Sequence, residues 1–131
     1  MEEDLLNRLR AANAITELLG SPKAIKWIER SRDLPSLTMT NIAPGRSYTF
    51  EGASRVEGST VRFDCWGRSF GETKLIERAL VAELERPASM GDTQFQAGFL
   101  EASRSMEPED LGSGIKVFRQ SLDLTIWHSP A

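Results

Sequence analysis

A chain of 131 residues, 40% hydrophobic and 27% charged, has room for one packed domain and not for two ordinary ones. That composition excludes a disordered chain, and no apolar run approaches the ~20 residues a membrane span requires. A formal charge of −3, with Arg46, Arg55, Arg62 and Arg68 dispersed among acids, excludes simple nucleic-acid binding through a dense basic run.

The start, Met1-Glu2-Glu3-Asp4, is acidic where a secretory signal is basic and then apolar, so the expected location is intracellular. Residues 2–19 read as one amphipathic helix with Leu5, Leu6, Leu9, Ala12, Ile15, Leu18 and Leu19 as its apolar stripe. Its first-turn acids suit the helix dipole, and Gly20 followed by Pro22 suits its end. Residues 24–29 form a short, ambiguous strand. Residues 37–43 read as a second strand, broken by Pro44-Gly45.

Residues 44–59 are long for a connection between strands and are read as an extended hairpin arm. Two roles stand open for Tyr48 and Phe50 within it: folding back on the core, or serving as exposed aromatic anchors for a partner.

The next stretch organises the chain. Val61, Phe63 and Cys65 alternate with Arg62 and Asp64, the period of a half-buried strand. Ser69 and Glu72 then stand at capping-box spacing. Leu75, Ile76, Ala79, Leu80 and Leu84 give the following helix an apolar stripe, and Pro87 stops it. Cys65, the single cysteine, is expected to be a buried, inert thiol.

Met90-Gly91-Asp92 reads as a turn and residues 93–104 as a strand in which Phe95, Ala97 and Phe99 alternate. Residues 106–114 read as a turn whose acids, Glu107, Glu109 and Asp110, fit no calcium-loop spacing and suit a solvated hairpin tip. Residues 115–128 form the last strand, with an apparent phase change near Phe118 that a bulge would explain. His128 is placed at its frayed end, in a surface or capping role.

The expected fold is a single α+β domain over residues 1–131, in the order α-β-β-β-α-β-β, with a mostly antiparallel sheet and two helices packed on one side. The sequence has no glycine-rich phosphate loop with lysine, no Gly-x-Ser-x-Gly elbow and no His-Glu-x-x-His pair. One histidine and one cysteine do not make a typical zinc site. Asp64 and Asp123 alternate away from the apolar faces of their strands and are read as solvated or ion-paired. The expectation is a non-enzyme that needs no cofactor or metal.

Four segments together carry a resemblance: Leu-Pro-Ser-Leu-Thr-Met-Thr-Asn-Ile at 34–42; the irregular segment holding Tyr48 to Gly52; Val-Arg-Phe-Asp-Cys-Trp-Gly at 61–67 leading into a helix; and the closing Ile126-Trp127-His128. With the leading helix, they resemble the tail-completion, or tail-terminator, proteins of long-tailed bacteriophages and phage-derived gene transfer agents. Residues 20–33 match no part of that pattern.

The resemblance implies a structural virion protein at the head-proximal end of the tail, made in the host cytoplasm. It implies a homohexameric ring that caps the tail tube, stops its polymerisation and meets the head connector or stopper. DNA would pass through the lumen without specific binding, and no membrane is involved. Candidate subunit or ring contacts are Arg46, Tyr48, Phe50 and Arg55 of the arm, and Glu107, Glu109 and Asp110 of the later turn. The alternatives are another head–tail connector ring (a stopper or adaptor) or a small α+β enzyme or ligand-binding domain.

Overall fold

In the computed structural model, residues 1–43, 48, 49, 52, 53 and 56–130 are described, with only the backbone described for 48, 49, 52 and 53. The α+β expectation holds. The leading helix, though, is two helices: α1 (Glu2–Ala11) and α2 (Asn13–Leu19). Ala12 between them is extended at φ −82° and ψ 101°, and its carbonyl accepts from the amides of Ile15 and Thr16, which starts α2. The break re-aims the second half of the stripe. Leu5, Leu9, Ile15 and Leu19 are all buried, while Leu18 is left exposed. Gly20 ends α2 at φ 81°, the left-handed cap that glycine adopts without steric cost.

Ser21 caps a short 3-10 turn that leads into β1 (Ile25–Trp27). β1 pairs in parallel with β2 (Ser36–Ala43). A small antiparallel pair, β3 (Tyr48–Thr49) and β4 (Gly52–Ala53), follows. β5 (Glu57–Gly67) runs antiparallel to β2 and enters α3 (Phe70–Leu84), where the Ser69 hydroxyl accepts from the Glu72 amide and Glu72 Oε1 accepts from the Arg68 amide. The expected capping box therefore forms, with the return bond one residue earlier than usual.

After α3 come β6 (Ala88–Met90) and β7 (Thr93–Phe95), a tight hairpin around Gly91-Asp92, then β8 (Phe99–Ser105), β9 (Glu109–Gly112) and β10 (Ile115–Pro130). β10 lies in the middle of the sheet. One edge pairs with β5 over its length, and the other pairs in turn with β9, β8 and β7. The main path across the sheet is β1-β2-β5-β10-β7-β6.

One face of this sheet carries Leu37, Met39, Val61, Phe63, Cys65, Leu122, Leu124 and Ile126, all buried against Leu5, Leu9 and Ile15 of the first two helices and Ile76, Leu80 and Leu84 of α3. Arg8 of α1 is also buried. It reaches the last turn of α3, donating to the backbone oxygens of Glu83 and Arg86 and to Glu83 Oε2. Its guanidinium carbon lies 5.2 Å from the Phe95 ring centre.

Three expectations are corrected. The strand expected over 93–104 is two strands, because the chain leaves the ladder to cross the end of α3. There the Gly98 amide bonds to the Leu84 carbonyl at 2.8 Å, and a Cβ on Gly98 would stand 2.7 Å from that oxygen. Phe95 is buried but Phe99 is 56% exposed, so the apolar alternation does not mark one face. The turn expected over 106–114 contains a strand, β9, and the reversal is confined to Gly112-Ser113-Gly114 at positive φ. Finally, no bulge interrupts the β5–β10 ladder at Phe118, whose register is continuous from Phe118 to His128. The register shifts lie on the other edge of β10, at Ile115/Lys116 against β9 and at Asp123/Leu124 against β8. Val117 is buried on the opposite face from Leu122, beside Trp66 and Met106, and that produces the apparent change of phase.

Candidate assembly surfaces

The sheet face away from the helices is polar and cross-linked. Even-numbered residues of β5 stand opposite odd-numbered residues of β10: Trp66 faces Arg119, Asp64 faces Ser121 and Arg62 faces Asp123. Arg62 Nε donates to Asp123 Oδ1 at 2.9 Å, and Arg104 of β8 donates to Asp123 Oδ2 at 3.2 Å. Arg119 Nε donates to Asp64 Oδ1 at 2.9 Å. These partners hold the Asp123 carboxyl below the ordinary carboxylate range, led by the hydrogen bond from Arg62. Both aspartates are thus ion-paired, as expected.

Trp66 stands at the end of this face where β5 finishes. Its indole donates to Thr38 Oγ1 at 3.1 Å, and the guanidinium carbons of Arg30 and Arg119 lie 5.2 and 5.0 Å from its ring centre. Cation–π contacts of this kind fix both an aromatic plate and its charged flanks. Trp66 was legible as an outward residue from the β5 alternation. Arg30 and Arg119 were not, because they arrive from residues 28–35 and from β10.

The acids of the later turn are exposed, as a solvated hairpin requires. Glu107 and Glu109 line a shallow hollow with Trp66, Val117 and Arg119, so they sit beside the tryptophan plate. Asp110 Oδ1 accepts from the Gly112 amide at 2.8 Å and shapes the reversal. β8 and β9 are exposed on both faces, and Phe99, Leu100, Met106, Leu111 and Ile115 are large apolar side chains at the surface of this arm. Beneath it, Ser103, Ser105, Gln120 and Glu77 form a hydrogen-bonded row in place of apolar packing. Of the earlier arm, Tyr48 lies in β3, where only backbone is described, and Arg46, Phe50 and Arg55 lie outside the described residues.

His128 is not at a frayed end. The strand continues to Pro130, His128 is only 8% exposed, and a 2.9 Å hydrogen bond joins its Nε2 to the buried Ser59 hydroxyl across the ladder. Burial lowers its pKa from the usual value. Cys65 is fully buried, and burial foremost pushes its thiol pKa far up. Among the described residues no group of three or more His, Cys, Asp or Glu side chains is placed to hold a metal ion, and no helix is long and apolar enough to cross a membrane.

The architecture defines a class: an α+β domain with a mostly antiparallel sheet, its helices on one face and an ion-paired outer face. A chain from the virion of a native gene transfer agent particle has the same fold, with a TM-score of 0.74 over 98% of this chain and 94% of that one. The two are 11% identical, so the likeness is one of fold. No protein-family model matches the sequence, and no curated protein matches it.

Proposed function

We propose that this chain is a structural virion or gene transfer agent protein of the tail-terminator kind. It caps the head-proximal end of the tail tube as a homohexameric ring, stops polymerisation there, and joins the tube to the head connector. The carrying observation is the fold shared, over nearly the whole of both chains, with a chain of a gene transfer agent virion. The sequence motifs at 34–42, 61–67 and 126–128 point the same way.

The architecture suits the task. A ring needs a heterologous contact that closes after a fixed number of copies. A terminator also needs one face that matches the tube and another that does not, so that growth ends with it. The exposed β8–β9 arm offers edges and apolar side chains for such contacts. The reading involves no catalysis and no cofactor. DNA passes through without being gripped, which a chain of net charge −3 suits.

The test is a deletion strain viewed by electron microscopy. Overgrown tubes that fail to join DNA-filled heads are expected. Tails of correct length already joined to heads would refute the reading. Heads joined to nothing and leaking DNA would replace it with a stopper.

A further inference from the structure

The β5–β10 ladder has two chemically opposite ends. At one end, where β5 starts and β10 finishes, a hollow is lined by Glu2, Asp4, Glu57 and Asp92 beside Ser59 and His128. Two of these have anchored positions. Asp4 Oδ2 accepts from Thr93 at 2.6 Å, and Glu2 Oε1 accepts from Asn41 at 3.2 Å. The Met1 amino group lies 3.7 Å from Glu2 Oε2, so the hollow carries four carboxylates and that one amine among the described residues.

At the other end, where β5 finishes and β10 starts, a groove is lined by Arg30, Arg32, Arg68 and Lys116 with Asp33 as its one carboxylate. Its floor and rim include Leu34 and the exposed Leu111 and Ile115. Arg32, Arg68 and Lys116 make no salt bridge among the described residues. Three cations without a salt bridge among the described residues, set beside exposed apolar side chains, form a surface with charge and area to offer a partner.

We infer that the basic groove of one copy seats the acidic end of the next, so that copies join head to tail along the β5–β10 direction. This rests on the ring reading above and names the contact that builds the ring. The occupant is a second copy because the complementary charge is present on the same chain, at the far end of the same ladder. Opposed patches of this kind orient partners and exclude the head-to-head arrangement, in which like charges meet. The contact is heterologous, so it closes a ring when each copy turns by a fixed angle.

The dimensions agree. Eleven residues from Glu57 to Gly67 at ~3.3 Å each separate the ends by roughly 35 Å. A regular hexagon has a radius equal to its side, so six copies at that spacing have centres roughly 35 Å from the axis. A domain of this size has a radius of gyration of about 14 Å, which leaves an open centre.

Charge reversal tests the inference. One variant carries Arg32→Glu and Lys116→Glu, which makes both of its ends acidic. A second carries Glu2→Lys and Asp92→Lys, which makes both ends basic. These residues are surface-exposed, and thermal unfolding of each variant checks that it is folded. Association is read by sedimentation at low salt, at the highest concentration solubility allows, and by occupancy of tail-tube ends in micrographs.

The expected result is that each variant alone loses the association of the wild type, and that an equimolar mixture restores it, because alternating copies again present opposite charges. Six is even, so the mixed ring closes. A chain carrying all four reversals also regains association. Rising salt weakens the wild-type contact. A mixture that remains monomeric while the wild type associates would overturn the head-to-tail contact. Association that survives both reversals would overturn it as well and leave the terminator reading standing. A wild type that is monomeric both in solution and on tube ends would overturn both.

Discussion

Arg8 is the residue whose replacement says most about how the helical layer is held. It leaves α1, lies buried at 3% exposure, and spends one guanidinium nitrogen on three acceptors at the end of α3. The last carbonyls of a helix have no partner within it, and here Arg8 supplies one from another helix. Arg8→Met keeps an apolar stem of similar length and removes the bonds. Hydrogen bonds to a charged group contribute roughly 1.5–3 kcal/mol each when buried. Two features reduce the total. Glu83 keeps Arg86 as a partner at 2.6 Å, so no carboxylate is stranded, and Arg8 Nε and Nη1 already lack acceptors. The expected loss is therefore about 2–4 kcal/mol, below the extreme of an orphaned buried ion pair. With an unfolding entropy of ~2.1 cal/mol/K per residue, 3 kcal/mol lowers the thermal midpoint by roughly 11 °C. Calorimetry on the wild type, Arg8→Met and Arg8→Ala separates bonding from packing, since Arg8→Ala loses the stem too. An Arg8→Met protein within about 1 kcal/mol of wild type would show that the helix end does not need this partner, and the argument fails.

Three further outcomes follow from buried groups. Burial depresses the pKa of His128 relative to the unfolded chain, so the unfolded state takes up its proton first as pH falls. Stability should drop below about pH 6.5 and level off beneath the depressed folded value, and His128→Asn should flatten that part of a denaturation-versus-pH series. Gly98→Ala forces a methyl to 2.7 Å from the Leu84 oxygen, so it should destabilise by about 1–3 kcal/mol in urea unfolding, whereas a neutral result would mean the crossing over α3 is loose. The Cys65 thiol, fully buried with its pKa pushed up, should react with a thiol reagent only at the rate of unfolding; fast labelling of the native protein would contradict its place in the core.

Local chemistry made much of the fold legible. The alternation of Val61, Phe63 and Cys65, the Ser69 cap and the Gly20 terminus are dictated by neighbours a few residues away, and all three appear in the structure. Features set by distant partners were not legible. Ala12 has good helix propensity, yet it is extended because Ile15 and Leu19 must turn toward the same core as Leu5 and Leu9. His128 looked terminal but is covered because β7 pairs with β10 as far as Pro130. The parallel pairing of β1 with β2, the stacking of Arg30 on Trp66 and the gathering of Arg32, Arg68 and Lys116 at one end of the ladder depend on residues 20–33, which carry no periodic signal of their own. The acids at 107, 109 and 110 are exposed as expected, but the position of Glu107 and Glu109 beside Trp66 is a product of the β9–β10 hairpin.

The central place of β10 has a consequence for synthesis. β5 and β10 partners are roughly 50 to 70 residues apart in the chain, so the longest ladder of the sheet closes late. While a ribosome is still making residues 85–114, β5 has been made and its later partner has not, and its apolar residues Val61, Phe63 and Cys65 need cover. α3 begins three residues after β5 ends and packs on that same face, so the strand brings its own shelter with it. The β5–α3 unit can wait, half-assembled, until β10 emerges and threads between β5 and the three short strands on its other side. A nascent chain stalled before residue 115 should then protect its α3 amides from hydrogen exchange while leaving the β10-facing edge of β5 open.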